Sequence, residues 1–319
     1  TFSHMRTMVV GEELARSGKL LSSLEAALRD REIRRDMFLI VSKEKAVDFI
    51  KGNKSEFETR PHKFYEFIAQ RWEETGLVPL STVHLFMQSV EQQAGLFLNI
   101  YGTTQPTEPN EEGNEDEYLP GTIDKTGGNP LQMIGSAVFK KGIMVETLNG
   151  EETRFCQLLR PHYKIPSILT SYPDPIKKDY RISTRIIKEE NTDIKIDTSQ
   201  KFPVIHVSVS VFFDILAIPS GIDYISDSGM QKQLERHISN ILSEKALKLV
   251  KKTQQELKGD PFLWFNEARK KFSTWGEYRQ YNWAEKYPNA TVSIQFEAKM
   301  RRVGKQKEPS DYIKNEEEN

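Results

Sequence analysis

Ile205-His206-Val207-Ser208-Val209-Ser210-Val211-Phe212-Phe213-Asp214-Ile215 is the stretch on which the fold turns. Its odd-numbered positions are apolar, and its even ones, Phe212 excepted, are hydroxyls, an imidazole and an acid. That period of two marks a strand with one face on a core. Past Pro219 and Gly221 the period changes. Leu234, Ile238, Ile241, Leu242, Ala246, Leu249, Val250 and Leu257 recur at steps of three and four, which predicts an amphipathic helix of about seven turns. Alternation then returns, with Val292, Ile294, Phe296, Ala298 and Met300 on one face and Ser293, Gln295, Glu297 and Lys299 on the other. One-sided strands around a one-sided helix predict an antiparallel sheet covered by that long helix. Arg181 to Lys188 and Asp193 to Asp197 read as two further strands.

Upstream, Met8-Val9-Val10 reads as a short strand. Gly11 to Arg16 starts a helix with acids in its first turn, and helical spacing continues from Leu20 to Arg29. Met37 to Val41 is a compact apolar run, a buried strand, and Lys43 to Ile50 is again helical. Further helices are predicted on Phe64, Phe67, Ile68 and Trp72, and on Val83, Phe86, Met87 and Val90 after the cap Ser81. Gly95 to Ile100 is a strand. The composition then shifts: residues 102–130 mix prolines and glycines with Glu111, Glu112, Glu115, Asp116 and Glu117. This predicts an acidic, mobile surface loop, because so few apolar groups cannot offset its ordering entropy. The acid spacing is not that of an EF-hand calcium loop. Ile134 to Phe139 and Gly142 to Val145 form a strand-turn-strand unit, and Asn149 caps a short helix carrying Phe155 and Leu158. Prolines at 161, 166, 173 and 175 mark a stiff crossing. The expectation is an α+β chain, with mixed and antiparallel sheets and packed helices in three domains. These are residues 1–101, lacking their start; 102–175, with the acidic loop 102–130; and 176–319, ending in a disordered acidic tail.

Composition excludes several classes. Lysine and arginine total 45 against 46 acids in 319 residues, so no global field favours nucleic acid or an anionic surface. With one cysteine, Cys156, there is no internal disulfide or cysteine zinc cluster. The six histidines lie far apart, and no metal or other cofactor is expected. No apolar run is long enough to span a bilayer.

The residues with chemical potential lie near the end. Gly259-Asp260-Pro261-Phe262 reads structurally: Gly259 in the left-handed position after the long helix, Asp260 as N-cap and Pro261 as first residue of the next helix. A catalytic Asp260 would need a partner acid or histidine, which no spacing supplies. Trp264, Trp275, Tyr278, Tyr281, Trp283 and Tyr287 alternate with Arg269, Lys270, Lys271, Arg279 and Lys286. The stretch can be a helical layer on the sheet, a partner surface, or a platform for single-stranded nucleic acid; the layer is the leading reading. Arg301 and Arg302 end the last strand and point to opposite faces, so that one can pair with an acid while the other meets a partner or a lipid phosphate, or both can simply end the strand in solvent. Trp264, Trp283 and Arg301 are the candidate partner contacts. No catalytic template is filled.

Taken together, several pieces resemble the GerAC or Ger(x)C family, the C-subunit lipoproteins of spore germinant receptors. They are Val9-Val10-Gly11-Glu12-Glu13-Leu14-Ala15, Arg29 to Arg35, the strand at Met37 to Val41, Gly135-Ser136-Ala137-Val138-Phe139-Lys140-Lys141, Glu151-Glu152-Thr153-Arg154, Asp260-Pro261-Phe262, Asn282-Trp283, Tyr287-Pro288 and Arg301-Arg302-Val303-Gly304. The resemblance implies a three-domain α+β protein without enzymatic activity. It also implies a lipidated N-terminal cysteine on the outer face of the spore inner membrane. There the protein would work with integral membrane A- and B-type subunits to sense nutrients and trigger germination, the nutrient being held by the permease-like subunit. The chain departs from this pattern at its beginning: the lipobox cysteine is absent, Cys156 is internal, and the anchor is assigned to the precursor. The expected role is docking, with neither nucleic acid nor a small-molecule substrate as partner. The alternative is an α+β enzyme or small-ligand-binding protein with an interdomain cleft.

Overall fold

The computed structural model describes residues 4–54, 65, 72–92, 95–108 and 115–303. The helix expected on Phe64, Phe67 and Ile68 and the acidic tail after Val303 lie outside the described residues. Among the described residues, ten strands form two five-stranded sheets. The first is built in chain order from β1 (Thr7–Gly11), β2 (Phe38–Ser42), β3 (Phe97–Thr103), β4 (Gln132–Lys140) and β5 (Ile143–Leu148). β1, β2 and β3 run parallel, and β4 and β5 continue antiparallel. Parallel neighbours need crossovers. These are α1 (Glu12–Arg16) and α2 (Leu20–Ala27), then α3 (Ala46–Gly52), α4 (Trp72–Thr75) and α5 (Val83–Gln92). β2 shows the result: Leu39 and Val41 pack with α1, α2 and α5 residues, and Ile40 with Phe49 of α3 on the opposite face. The β4–β5 turn holds Lys141 and Gly142 at φ 51° and 82°, the doubly positive pair of a tight hairpin.

The second sheet has the order β10-β9-β7-β6, with β8 also pairing β9. Its strands are β6 (Ile165–Pro173), β7 (Arg181–Lys188), β8 (Asp193–Asp197), β9 (Val204–Ala217) and β10 (Thr291–Val303). Ile205, Val207, Val209, Val211, Phe213 and Ile215 are each at most 5% exposed, as the alternation requires. β6, β7, β8 and β9 pair antiparallel, but β9 and β10 are parallel. That corrects the expectation of a wholly antiparallel sheet, and the cause is length. α6 (Gly150–Leu158) opens this half, and the connection from β9 to β10 contains α7 (Ser228–Lys252), 25 residues long, or about 37 Å. It carries the chain back along most of β9, so that β10 starts at the same end. Asp227 caps α7 by accepting from the Gly229 and Met230 amides at 2.6 and 3.2 Å.

The two sheets share one hydrophobic core. Leu96, just before β3, and Leu98, Val138 and Leu148 of the first sheet pack in one cluster with Phe155, Cys156 and Leu158 of α6 and with the inner faces of β6, β7, β9 and β10. α6 is the wedge, with Phe155 edge-on to Phe296. A reciprocal capping box starts it: Asn149 accepts from the Glu152 amide at 2.8 Å, and Glu152 accepts from the Asn149 amide at 3.1 Å. The described part of the acidic segment is not a free loop. Asp116 pairs with the buried Arg154 of α6, and Glu117 with Lys245 of α7 at 3.5 Å. Charge pairing there replaces the apolar burial that the composition lacks.

β10 is an edge strand, and α7 lies along its open side. The amides of Phe296, Ala298 and Met300 donate to Ser243 Oγ, Ser239 Oγ and Glu235 Oε1 at 2.9, 2.9 and 3.0 Å. The match is geometric. Four helical residues rise about 6.0 Å and two strand residues about 6.6 Å, so a helix running opposite to the strand can meet every second amide. Each serine hydroxyl also donates to the carbonyl four residues back in α7, at 2.7 Å for Ser239 and 2.8 Å for Ser243. We expect Ser239→Ala with Ser243→Ala to cost roughly 2 kcal/mol in chemical denaturation, at about 1 kcal/mol for each β10 amide that loses its acceptor. Amide exchange at Phe296 and Ala298 should accelerate selectively. Unchanged exchange at both positions would remove the assigned role.

Candidate functional site

Asp260 and its neighbours sit where the two sheets meet. After α7 the helix loosens into a π-turn, Thr253–Leu257, and stops at Lys258 with φ 50°. Lys258, not Gly259, therefore takes the left-handed position. Gly259 is required for space: a Cβ there would lie 2.7 Å from the Leu96 side chain, and one on Gly95 would lie 2.6 Å from the Asp260 carbonyl oxygen. The two glycines let the backbone entering β3 lie against the backbone leaving the π-turn. The Leu96 amide donates to the Asp260 carbonyl at 2.8 Å.

The next helix, α8 (Trp264–Arg269), begins later than expected, and its N-cap is Leu263 at φ 64° rather than Asp260. The Asp260 carboxylate reaches that helix across the loop. Its Oδ1 accepts from the Phe262 amide at 2.7 Å, and its Oδ2 from the Phe265 amide at 2.9 Å and the Trp283 indole at 3.2 Å. Pro261 is likewise not the first helical residue. Its carbonyl accepts from Nε and Nη2 of Arg160 at 3.3 and 3.2 Å. Phe262 lies over Trp264 with ring centres 4.5 Å apart, and the Trp264 indole donates to the Leu159 carbonyl at 3.0 Å. Lys140 of β4 closes the end of the π-turn, donating to the Leu257 and Lys258 carbonyls at 3.2 and 2.9 Å.

Asp260, Phe262 and Trp264 are fully buried and Trp283 nearly so. Asp260, Pro261, Phe262, Trp264 and Trp283 are thus one cluster. Leu96, Lys140 and Arg160 complete it, and sequence reading missed them. Only the glycine at 95 before a strand hinted at a close approach. Burial pushes the Asp260 carboxyl up to about 6, against the opposing pull of its three donors and of Arg160. Burial likewise raises the Cys156 thiol, leaving it protonated and unreactive. The three bonds to the carboxylate come from two backbone amides and an indole, groups that hold it in place and do not exchange protons with it.

Arg301 lies elsewhere, on the outer side of the second sheet, paired with Glu189 at 2.9 Å and with Asp214 at 3.6 Å. Arg302 stands in register with Asp214 beyond a bulge after Met300. Among the described residues no group of three or more His, Cys, Asp or Glu could hold a metal ion, and no helix is long and apolar enough to cross a membrane.

The carboxyl's displacement makes a pH prediction. A group held near 6 when folded, against an ordinary 3.8, binds its proton more tightly in the native state. It therefore adds stability as pH falls from about 6 to about 4 and removes it as pH rises. Asp260→Asn keeps one acceptor but turns an amide N–H₂ toward two donors. We expect it to destabilise the chain by on the order of 3 kcal/mol at pH 7. The gap to wild type should widen by roughly another 3 kcal/mol by pH 4. A gap that narrows on acidification would mean that the three donors outweigh burial.

Known proteins match over both halves of the chain. The family model described as "Spore germination B3/ GerAC like, C-terminal" covers residues 134–304, and that of the "Spore germination protein N-terminal domain" covers residues 1–102. The spore germination protein GerQC of Bacillus cereus is 20% identical over 300 residues, 94% of this chain and 75% of that protein. The crystal structure of the GerBC protein shares the fold, with a TM-score of 0.66 at 17% identity over 93% of this chain and 79% of that one. The chain belongs to the GerAC-like spore germination family, the C subunits of spore germinant receptors.

Proposed function

We propose that this chain is the non-catalytic C subunit of a nutrient-germinant receptor and acts by docking with integral membrane A- and B-type subunits. The observation that carries the proposal is the use made of the Asp260 cluster. Its carboxylate, indoles and guanidinium are spent on one another and on backbone at the meeting of the two sheets. The precursor would hold the protein on the outer face of the spore inner membrane through an N-terminal lipid anchor, whose two acyl chains suit stable attachment.

Docking needs exposed anchors, and Trp264 and Trp283 are buried. Trp275, at 40% exposed, offers a ring instead. It lies in α9 (Trp275–Tyr281), started by the capping box of Thr274 and Glu277. The Arg269 and Arg279 guanidinium groups sit 4.5 and 5.6 Å from its centre. An exposed tryptophan between arginines has the composition of an interface anchor, and the partner surface is proposed to include it.

Deletion of the gene in a spore former should abolish the response to at least one nutrient, and the tagged chain should bring down membrane subunits from spores. Trp275→Ala should weaken that co-purification at least tenfold and leave the melting temperature within about 1 °C, because the ring is a surface group. Normal germination of the deletion strain on every nutrient tested, with no subunit recovered, would overturn the proposal.

A further inference from the structure

The end of β7 carries a cation that the Asp260 cluster does not use. Lys188 is 1% exposed, and its ammonium donates to the Tyr163 carbonyl. A carbonyl engages one of the three protons and neutralises none of the charge. Among the described residues no carboxylate forms an ion pair with Lys188. Glu189, next along the chain, pairs with Arg301. The charge that Lys188 does feel is Lys164, of the same sign; burial first, and Lys164 second, bring its ammonium down to about 8. An ammonium taken out of water without a counter-charge costs several kcal/mol, and a native fold retains such a group at the expense of its own stability.

Lys188 also lines a groove of about 770 Å³. Lys164 and His162, both exposed, border it together with Arg301. The cations facing the groove are therefore Lys164, Lys188 and Arg301, against the two carboxylates Glu74 and Glu189. One of those carboxylates is already matched by Arg301.

We propose that this groove is an oxyanion site, in which a carboxylate or phosphate group seats between Lys164 and the buried Lys188 and supplies the counter-charge the fold omits. The shared chemistry is a compact anion with at least two acceptor oxygens, one for each ammonium. It can come from a free small molecule or from a lipid headgroup. This proposal stands apart from the docking reading, since it concerns the opposite use of the surface: reception of a small charged group rather than of a protein face.

The test uses the full chain in chloride buffer at pH 7, titrated with inorganic phosphate and, separately, with acetate. Melting temperature and the Lys188 side-chain nitrogen resonance are followed. A saturable rise in melting temperature with a shift of that resonance is expected. Lys164→Ser should weaken the response several-fold, and Lys188→Met should weaken it at least tenfold. Lys188→Met should melt no lower than wild type without anion, because a buried charge has been replaced by an apolar group of similar length. Should that variant fail to fold, Lys164→Ser and the resonance shift decide alone. Vesicles of phosphatidylglycerol, compared with phosphatidylcholine alone, separate the sources. Lysine-dependent binding to the first assigns a headgroup, and a phosphate response without it assigns a free anion. No response to either anion, or equal responses in wild type and both variants, overturns the proposal.

Discussion

A carboxylate removed from water must be met by donors held in place beforehand, and the packing around Asp260 follows from that demand. Two amides and an indole converge on it from the loop before α8, from α8 itself and from the short helix that begins at Trp283. Those elements are short and could not hold their positions alone. They hold because Trp264 is bonded to Leu159, Pro261 to Arg160, and the Asp260 carbonyl to Leu96. The last of these contacts reaches the first sheet. A single buried acid thereby couples the aromatic layer, the wedge helix α6 and both sheets, which is why one core cluster runs through them. Its raised pKa measures the cost of that arrangement, and the close fit of Gly95 and Gly259 measures its tightness.

The long helix α7 carries a second constraint. Its apolar residues join one core cluster with the inner faces of β9 and β10. Its flank does something more specific, supplying Glu235, Ser239 and Ser243 to the open amides of β10. An unpaired 13-residue edge would be a ready template for another strand. Here the edge is occupied by side chains that cannot propagate a sheet.

Much of the fold was legible because periodicity survives burial. The alternation from Ile205 to Ile215, the three-and-four spacing of α7 and the compact run at Met37 to Val41 each report a local geometry that the structure keeps. What local pattern could not report is direction. Strands that alternate identically can pair either way, and only the length of the intervening helix makes β10 parallel to β9. The motif around Asp260 was legible as structural, but its partners were not. Leu96 and Arg160 lie a hundred residues or more away in sequence, and nothing in the local pattern links them to position 260. The caps were shifted for the same reason: a side chain that finds donors across space need not be the residue that starts the helix. Lys188 was invisible as a buried charge, since a lysine ending a strand reads as a solvated one.

The backbone contact between Leu96 and Asp260 has a mechanical consequence. Two bodies joined by a linker can each drift without disturbing the other. Here Gly95 lies against the Asp260 carbonyl and Gly259 against Leu96, and the β3 entry is bonded to the π-turn exit within a shared core. A displacement applied to one sheet finds no slack to absorb it. The two sheets are thus held against each other by backbone as well as by side chains.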